Sequence, residues 1–232
     1  MTRSDHQHCV VDDDVGVDVD ALRSAIRASA LIGESQLVGA FESTRGFGIA
    51  CHLSAVRTAL ARAPWLGPFV DVVTDADRLQ SLLQLSLLER LLGSMLGDFN
   101  ALYLNVLVVP AGGAVARHVD STLGVHGDGP VFTPRAVGVL YVDVPDDLRG
   151  GELRLFDDDD DVPVASIVPR AGRLVLFRGS LGHEVTATSA AGPRVSCVAE
   201  LYALPRARLA LLPRVRVQSR GFQDVMARLR RR

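Results

Sequence analysis

Apolar residues recur at helical spacing in three stretches of the first hundred residues. In the first stretch Leu22, Ile26 and Ala30 fall on one face, and in the last the leucines follow i, i+3 and i+4 spacing. Such a stripe buries one side of a helix against a core. The stretches predicted as helices are residues 19–32, 54–63 and about 74–97. Residues 37–50 are ambiguous and leave room for a short strand.

Beyond Gly97 the pattern changes to that of short strands. Apolar and β-branched runs alternate with turns of glycine, proline and aspartate, which is typical of a sandwich or barrel. The predicted strands are residues 102–109, 136–144, 152–156, 166–168, 173–177 and 195–204. Helices followed by strands favour an α+β chain in which the helices pack on one sheet.

The chain is predicted to form one domain after a short leader. Residues 1–17 are polar and acidic and are expected to be flexible. No repeat or linker divides residues 18–232. We expect helical support over about 18–97, a β core over about 100–204 and a C-terminal segment over 205–232.

The composition is typical of a soluble globular protein. Of the 232 residues 48% are hydrophobic, and the formal net charge is −2, which gives no reason to expect a nucleic-acid partner. The three cysteines are widely spaced, and the N-terminus lacks a signal-peptide layout, so we expect a cytoplasmic location. Polar residues interrupt the leucine-rich stretch at 79–96, which argues against a membrane span.

A histidine and an aspartate two residues apart are the first candidates for chemistry. On an extended strand the side chains of His118 and Asp120 point the same way and can converge on one ion. His183, just after the apolar run at 173–177, would add a third ligand. Two histidines and one carboxylate form the facial triad that suits non-haem Fe(II). Each residue alone is more often structural, so the inference rests on the combination.

Arg194 and Ser196 show the same two-residue spacing on the last predicted strand. They begin eleven positions after His183 and would present a guanidinium and a hydroxyl on one face. A planar guanidinium binds a carboxylate through two parallel hydrogen bonds. The pair therefore suits the anchoring of a carboxylate co-substrate.

These five residues, in this order, resemble the Fe(II)/2-oxoglutarate-dependent oxygenase superfamily. The resemblance covers roughly residues 100–204 and is strongest to the prolyl-4-hydroxylase-like branch. Several segments follow in the order of that branch: Gly112, residues 137–142, 150–156, 169–172 and 174–177. A lone His-x-Asp motif is weak evidence, whereas an ordered set of elements is much more specific.

The resemblance implies a fold, a set of cofactors and a reaction. The fold would be a double-stranded β-helix, or jelly roll, and the metal Fe(II), with 2-oxoglutarate and O₂ as co-substrates and ascorbate as an accessory reductant. His118, Asp120 and His183 would bind the metal, and Arg194 and Ser196 would hold 2-oxoglutarate. Halogenating members have Gly or Ala in place of Asp120, so hydroxylation is expected here.

The chain departs from the animal-type prolyl hydroxylases at two positions. Those enzymes carry a tyrosine nine residues before the first metal histidine, where this chain has Val109. They anchor the co-substrate with a lysine, where this chain has Arg194. The resemblance therefore implies the chemistry and leaves the substrate open.

Further pocket residues are predicted on either side of the metal motif. Tyr103 and Asn105 share one face of the preceding strand and are expected to line the co-substrate pocket. The glycine-rich segment 121–134 is expected to form a loop over the site. Within and beside it, His126 and Arg135 are candidates for contact with a polar substrate.

Three functions remain open at this point. The first is hydroxylation of an unactivated C–H bond of a small molecule, such as an amino acid or a natural-product intermediate, with release of succinate and CO₂. The second is prolyl-type hydroxylation of a protein or peptide. The third belongs to another class and is a jelly-roll module that binds metal without turnover.

Overall fold

Two antiparallel sheets face each other and form a jelly roll, with helices on the outer side of the larger sheet. The computed structural model describes residues 8–32, 35–36, 45–83, 99–123, 131–157 and 161–218. The strands are β1 (Cys9–Asp12), β2 (Ser35–Gln36), β3 (Arg45–His52), β4 (Ala101–Val109), β5 (Val115–His118), β6 (Ala136–Asp143), β7 (Arg149–Gly150), β8 (Leu153–Phe156), β9 (Ala165–Ile167), β10 (Leu174–Arg178), β11 (Gly182–Val185), β12 (Thr188–Ser189), β13 (Arg194–Tyr202) and β14 (Val215–Gln218). The helices are α1 (Val19–Ala28), α2 (Val56–Leu60), α3 (Gly67–Val73), α4 (Ala76–Leu83) and α5 (Arg206–Leu209), with 3₁₀ turns at Leu53–Ala55 and Pro64–Leu66. The predicted α+β class and jelly-roll core are confirmed.

The strand order joins segments that are far apart in the sequence. The larger sheet runs β1-β10-β6-β13-β4-β3-β14, with β2 paired to β3. The smaller sheet runs β5-β11-β8-β9, and β7 pairs with β12. Strand β13 lies between β6 and β4 and pairs with both in antiparallel register. This central strand therefore has neighbours on both edges, which fixes the directions of its side chains.

The outer face of the larger sheet carries the main hydrophobic core. Alternate residues of β13, among them Cys197 and Leu201, pack with Phe69 of α3 in this cluster. Helix α3 approaches the sheet closely at Gly138, where an added Cβ would lie 2.8 Å from Cγ1 of Val73. The helices thus brace one side of the sheet, as expected for helices that are followed by strands.

The inner face of the same strands is polar. Arg194, Ser196 and Glu200 alternate along β13 with the core residues, and all three are buried. Asn105 of β4 and Tyr141 of β6 lie on the same face and are also buried. Because buried polar groups are costly unless they find partners, their concentration between the two sheets marks this space as functional.

The predicted flexible leader is wrong for residues 9–12. These residues form β1, an edge strand that pairs with β10 from Cys9 opposite Phe177 to Asp12 opposite Leu174. Ion pairs hold its end, with Asp12 3.0 Å from Arg78 and Asp13 2.6 Å from Arg173. The apolar run was too short to stand out between acidic residues, and its strand partner lies far along the chain.

The helix predictions are confirmed in type, although α1 ends at Ala28 and not near Gly33. The side chain of Asp75 accepts a hydrogen bond from the Arg78 N–H at 3.0 Å and caps α4. The apolar pattern of the sequence does not predict α3. Residues 84–98 of the predicted long helix, and the segment from residue 219, lie outside the described residues. In the described part of the chain, no helix has the length and apolar character needed to cross a membrane.

Candidate metal centre

Strand pairing brings the two candidate histidines together. In the antiparallel pairing of β11 with β5, His183 lies directly opposite His118. Their ring centroids are 4.2 Å apart. The edge of the His183 ring also contacts Phe177 at a centroid distance of 5.1 Å. Backbone hydrogen bonding thus places two imidazoles 65 positions apart in the sequence side by side.

The aspartate completes the cluster from just beyond the end of β5. Asp120 is 6% exposed, with Oδ1 3.4 Å from Nε2 of His118 and Oδ2 3.5 Å from Nε2 of His183. One ligand atom from each of the three residues lies within 4.8 Å of the other two. The donor set of two imidazoles and one carboxylate is the set that non-haem Fe(II) prefers. These residues therefore fit a metal ion of this kind.

Backbone carbonyls orient both rings. Nδ1 of His118 donates to the Ala116 carbonyl at 2.8 Å, and Nδ1 of His183 donates to the Leu181 carbonyl at 3.3 Å. A hydrogen bond from Nδ1 leaves the lone pair on Nε2, which is the tautomer required for metal binding through Nε2. Both Nε2 atoms face the Asp120 carboxylate.

The electrostatic environment favours a charged aspartate beside a neutral His183. Burial alone would raise the pKa of Asp120, but the neighbouring His183 and His118 bring that pKa below its ordinary value. Burial lowers the pKa of His183 despite the nearby carboxylate. Burial alone would lower the pKa of His118, but the Asp120 carboxylate and the Ala116 carbonyl together raise it above its ordinary value. Ligand chemistry requires deprotonated donors, which this cluster supplies in part before any ion binds.

A second polar cluster lies deeper in the same cavity. Arg194 is 2% exposed, and its Nη1 donates to the Gly151 carbonyl at 2.8 Å. Its guanidinium carbon lies 5.3 Å from the centre of the Tyr141 ring. Arg194 Nε, Ser196 Oγ and Tyr141 OH are buried and have no hydrogen-bond partner among the described residues. Three convergent donors without acceptors fit a carboxylate ligand.

Two glycines shape the turn that receives the arginine. Gly150 and Gly151 both have positive φ, at 69° and 72°. A Cβ on Gly150 would lie 2.1 Å from the Ala187 carbonyl oxygen, so only glycine fits there. This close packing presents the Gly151 carbonyl to Arg194 and explains the Gly-Gly pair.

One cavity contains both clusters. Asn105, His118, Asp120, Tyr141, His183, Arg194, Ser196 and Glu200 line it, together with Leu107, Val115, Val137, Val139, Leu153, Phe177, Val185 and Val198. Its walls are therefore apolar except at the two polar clusters and at Asn105 and Glu200. Such a mixture binds a polar ligand in one orientation and limits the access of water.

The other predicted pocket residues have different positions. Asn105 is 7% exposed and lines the cavity. Tyr103 is buried in a neighbouring cluster with Leu123 and Tyr202 and is not among the described residues that line the cavity. Arg135 is exposed at the start of β6 and is likewise not among the lining residues. His126 lies outside the described residues.

Sequence reasoning missed two residues of this cavity. Tyr141 lies in an apolar run that is buried on both faces, so no alternation distinguishes it. Glu200 lies on the same face of β13 as Arg194 and Ser196, and continuing their two-residue spacing would have found it.

Comparison with known proteins finds a matching family model. Residues 104–200 match the model of the 2OG-Fe(II) oxygenase superfamily. Over this segment, which runs from β4 into β13, the chain is similar to that superfamily. The matched region contains all five residues on which the resemblance was based. No curated protein matches the chain.

Solved structures of prolyl hydroxylases share the fold of this chain. A prolyl hydroxylase from Trichoplax adhaerens, in complex with a peptide of hypoxia inducible factor, is 15% identical with a TM-score of 0.54, covering 88% of this chain and 86% of that one. The viral collagen prolyl hydroxylase of Paramecium Bursaria Chlorella virus-1 is 14% identical with a TM-score of 0.51, covering 86% of this chain and 98% of that one. A Pseudomonas putida prolyl-4-hydroxylase is 16% identical with a TM-score of 0.49, covering 86% and 95%. The fold is thus that of prolyl hydroxylases.

The family match also indicates the reaction class. Enzymes of this superfamily use Fe(II), 2-oxoglutarate and O₂, and the chain is a 2-oxoglutarate-dependent oxygenase. This agrees with the expected cofactors and argues against a module without turnover. The donor chemistry of the His118, Asp120 and His183 cluster is compatible with these cofactors.

Proposed function

We propose that the oxygenase hydroxylates an unactivated C–H bond of a small molecule, such as an amino acid or a natural-product intermediate. His118, Asp120 and His183 would hold Fe(II). The observation that carries the proposal is the convergence of their three ligand atoms within 4.8 Å, in a cavity that also contains Arg194. A reaction with an iron-bound keto acid requires a set of metal ligands and an anion-binding residue in the same cavity. The three ligand residues and Arg194 meet this requirement.

The polar cluster around Arg194 would bind the distal carboxylate of 2-oxoglutarate. Arg194 Nε, Ser196 Oγ and Tyr141 OH each lack a partner among the described residues, and a carboxylate would satisfy all three donors. The bond from Arg194 Nη1 to the Gly151 carbonyl fixes the guanidinium in place before the ligand arrives. Such preorganisation lowers the entropic cost of binding.

Fe(II), 2-oxoglutarate and O₂ would supply the oxidising chemistry: one oxygen atom of O₂ goes to the substrate and the other to succinate, with release of CO₂. The chain contributes the position of the metal, the orientation of the co-substrate and the exclusion of water. Val139, Phe177 and Val198 form part of the apolar wall of the cavity. Asp120 supplies a carboxylate ligand, which supports hydroxylation over halogenation.

The first test is turnover of 2-oxoglutarate by the Fe(II)-loaded protein. Succinate is measured with wild type, His118→Ala and the matched control His52→Ala. His52 ends β3 and contacts the Leu212 carbonyl at 2.9 Å, so it is a histidine of the same fold outside the lining of the cavity. We expect loss of succinate formation in His118→Ala alone. Equal succinate release by wild type and His118→Ala would refute the proposed metal centre.

A peptide substrate is the second candidate. The Trichoplax adhaerens protein of the same fold was solved with a peptide bound, which supports this alternative. The two departures from animal-type prolyl hydroxylases, Val109 and Arg194, concern the binding of the co-substrate and leave the choice between the two substrates open. Competition between free amino acids and proline-containing peptides in the succinate assay separates the two candidates, because only a true substrate raises turnover and becomes hydroxylated.

A further inference from the structure

Glu200 is a buried carboxyl group that the proposed reaction does not use. It is 3% exposed, lies on the inner face of β13 and lines the cavity of the metal cluster. Its Oε1 accepts a hydrogen bond from Thr122 Oγ1 at 2.8 Å, and its Oε2 accepts one from the Tyr202 hydroxyl. Tyr202 OH in turn accepts from the Leu123 N–H at 3.4 Å. These bonds join β13 to the residues directly after Asp120.

Asp120 needs such a connection because it lies beyond the end of β5. The two histidines occupy paired strands, whereas the register of β5 and β11 ends at His118. Thr122 and Leu123 are the second and third residues after Asp120, and both are tied to β13. The position of the carboxylate therefore depends on side-chain hydrogen bonds to a strand of the opposite sheet.

We propose that Glu200 and Tyr202 are positioning residues that hold Asp120 in place through Thr122 and Leu123. This inference rests on the proposed function, since it assumes that Asp120 is a metal ligand. One strand, β13, then carries both Arg194 at its start and the anchor of the metal-binding segment near its end. The distance between the metal and the co-substrate anchor is set by the rigid spacing of that strand.

The partners of Glu200 are neutral groups. Among the residues that the structure describes, the groups that influence Glu200 are Thr122, Tyr202 and the nearby Asp120, and none of them is a cation. Burial, together with Asp120, raises the pKa of Glu200 well above its ordinary value. Glu200 is therefore held by hydrogen bonds from two hydroxyls and acts through its position. A glutamine amide of the same size could take its place.

The test measures Co(II) binding to the metal-free protein by calorimetry, together with the visible absorption of the bound Co(II). Thr122→Val and Glu200→Leu remove the hydrogen bonds, whereas Thr122→Ser retains them. In Glu200→Gln the amide oxygen can accept from one hydroxyl while the NH₂ group donates to the other, so both contacts are kept. We expect the first pair to weaken Co(II) binding by roughly 10–100-fold, as for other residues that orient metal ligands, and to change the Co(II) spectrum. The conservative pair should stay within about 3-fold of wild type, since losing the bonds that orient a metal ligand is expected to cost more than this.

The control is Thr74→Val, which removes a comparable bond from Thr74 Oγ1 to the Val70 carbonyl, 2.8 Å long, at the end of α3. It should leave Co(II) binding unchanged, and thermal unfolding of each metal-free variant reports whether it folds. Thr122→Val is nearly isosteric, so it tests the idea even if Glu200→Leu does not fold.

The outcomes separate this inference from the proposed function. Equal Co(II) binding by wild type and His118→Ala would refute the metal centre itself. If His118→Ala loses Co(II) while Thr122→Val binds it as wild type does, only the positioning role is refuted. A loss in Glu200→Gln as large as in Glu200→Leu would also refute it, because the hydrogen-bonding geometry that glutamine preserves would then not be the relevant feature.

Discussion

His183 lies directly opposite His118 across the β11–β5 pair, with 4.2 Å between the ring centroids. Two of the three candidate metal ligands are therefore positioned by a backbone ladder and not by flexible loops. A slip of one residue in this register would turn one imidazole to the other face of the sheet. The pairing of two short strands thus decides whether the cluster exists.

Arg194→Lys should weaken 2-oxoglutarate binding with little change in metal affinity. A lysine cannot reproduce the fork of the guanidinium, and the Gly151 carbonyl loses its 2.8 Å partner. Hydrogen bonds to charged groups contribute about 1.5–3 kcal/mol, so the KM for 2-oxoglutarate should rise by roughly 10-fold or more. Arg173→Lys, which changes a surface contact to Asp13, is the control and should leave this KM unchanged. An unchanged KM in Arg194→Lys would contradict the assignment.

Tyr141→Phe should affect the ligand and not the fold. The Tyr141 hydroxyl is buried without a partner among the described residues, so its removal deletes no bond of the free protein. The free energy of unfolding should stay within about 1 kcal/mol of wild type, while the KM for 2-oxoglutarate rises by roughly 3–10-fold, the value of one hydrogen bond. Urea unfolding and succinate kinetics measure the two effects. A large loss of stability with an unchanged KM would show that Tyr141 stabilises the core and does not contact 2-oxoglutarate.

Gly150→Ala should destabilise the protein much more than Gly112→Ala. Both glycines have positive φ, which costs an alanine about 1 kcal/mol. At Gly112 nothing lies within 4 Å of an added Cβ, whereas at Gly150 the Ala187 carbonyl oxygen lies at 2.1 Å. We expect a loss of about 1 kcal/mol in the first case and at least about 3 kcal/mol in the second, measured by urea unfolding. Equal losses would show that the turn relaxes easily.

Asp12→Asn should lower stability at neutral pH, and the difference should vanish in acid. The Asp14 N–H and Arg78 lower the pKa of Asp12 below its ordinary value of 3.8. A carboxylate with a lowered pKa contributes stability above 3.8, and this contribution is lost as the pH falls through the lowered pKa. Because the pair is partly exposed, we expect less than about 1 kcal/mol. Asp14→Asn is the control, and a difference that grows in acid would contradict the prediction.

The sequence was sufficient for the parts of the site that depend on local spacing. Two pairs show two-residue spacing: His118 with Asp120, and Arg194 with Ser196. The members of each pair point to the same side whichever strand they pair with, so no knowledge of the strand pairing is needed. His183 could be added because it follows a recognisable apolar strand. The five residues lie in the region that matches the superfamily.

The parts that escaped prediction depend on distant contacts. The role proposed for Glu200 depends on its hydrogen bond with Thr122, which is 78 positions away in the sequence. Strand β1 depends on the edge of β10, and its short apolar run has no period of its own. Tyr141 lies in a strand with both faces buried, where alternation gives no signal.

Strand β1 also has a practical meaning for anyone who shortens the protein. It covers the outer main-chain edge of β10, the strand whose Phe177 touches the ring of His183. A variant beginning after Asp13 would expose that edge as a template for a strand from another molecule. Preparations of such a variant would then tend to self-associate. Any displacement of β10 would also reach the candidate metal ligand His183 through its ring contact with Phe177.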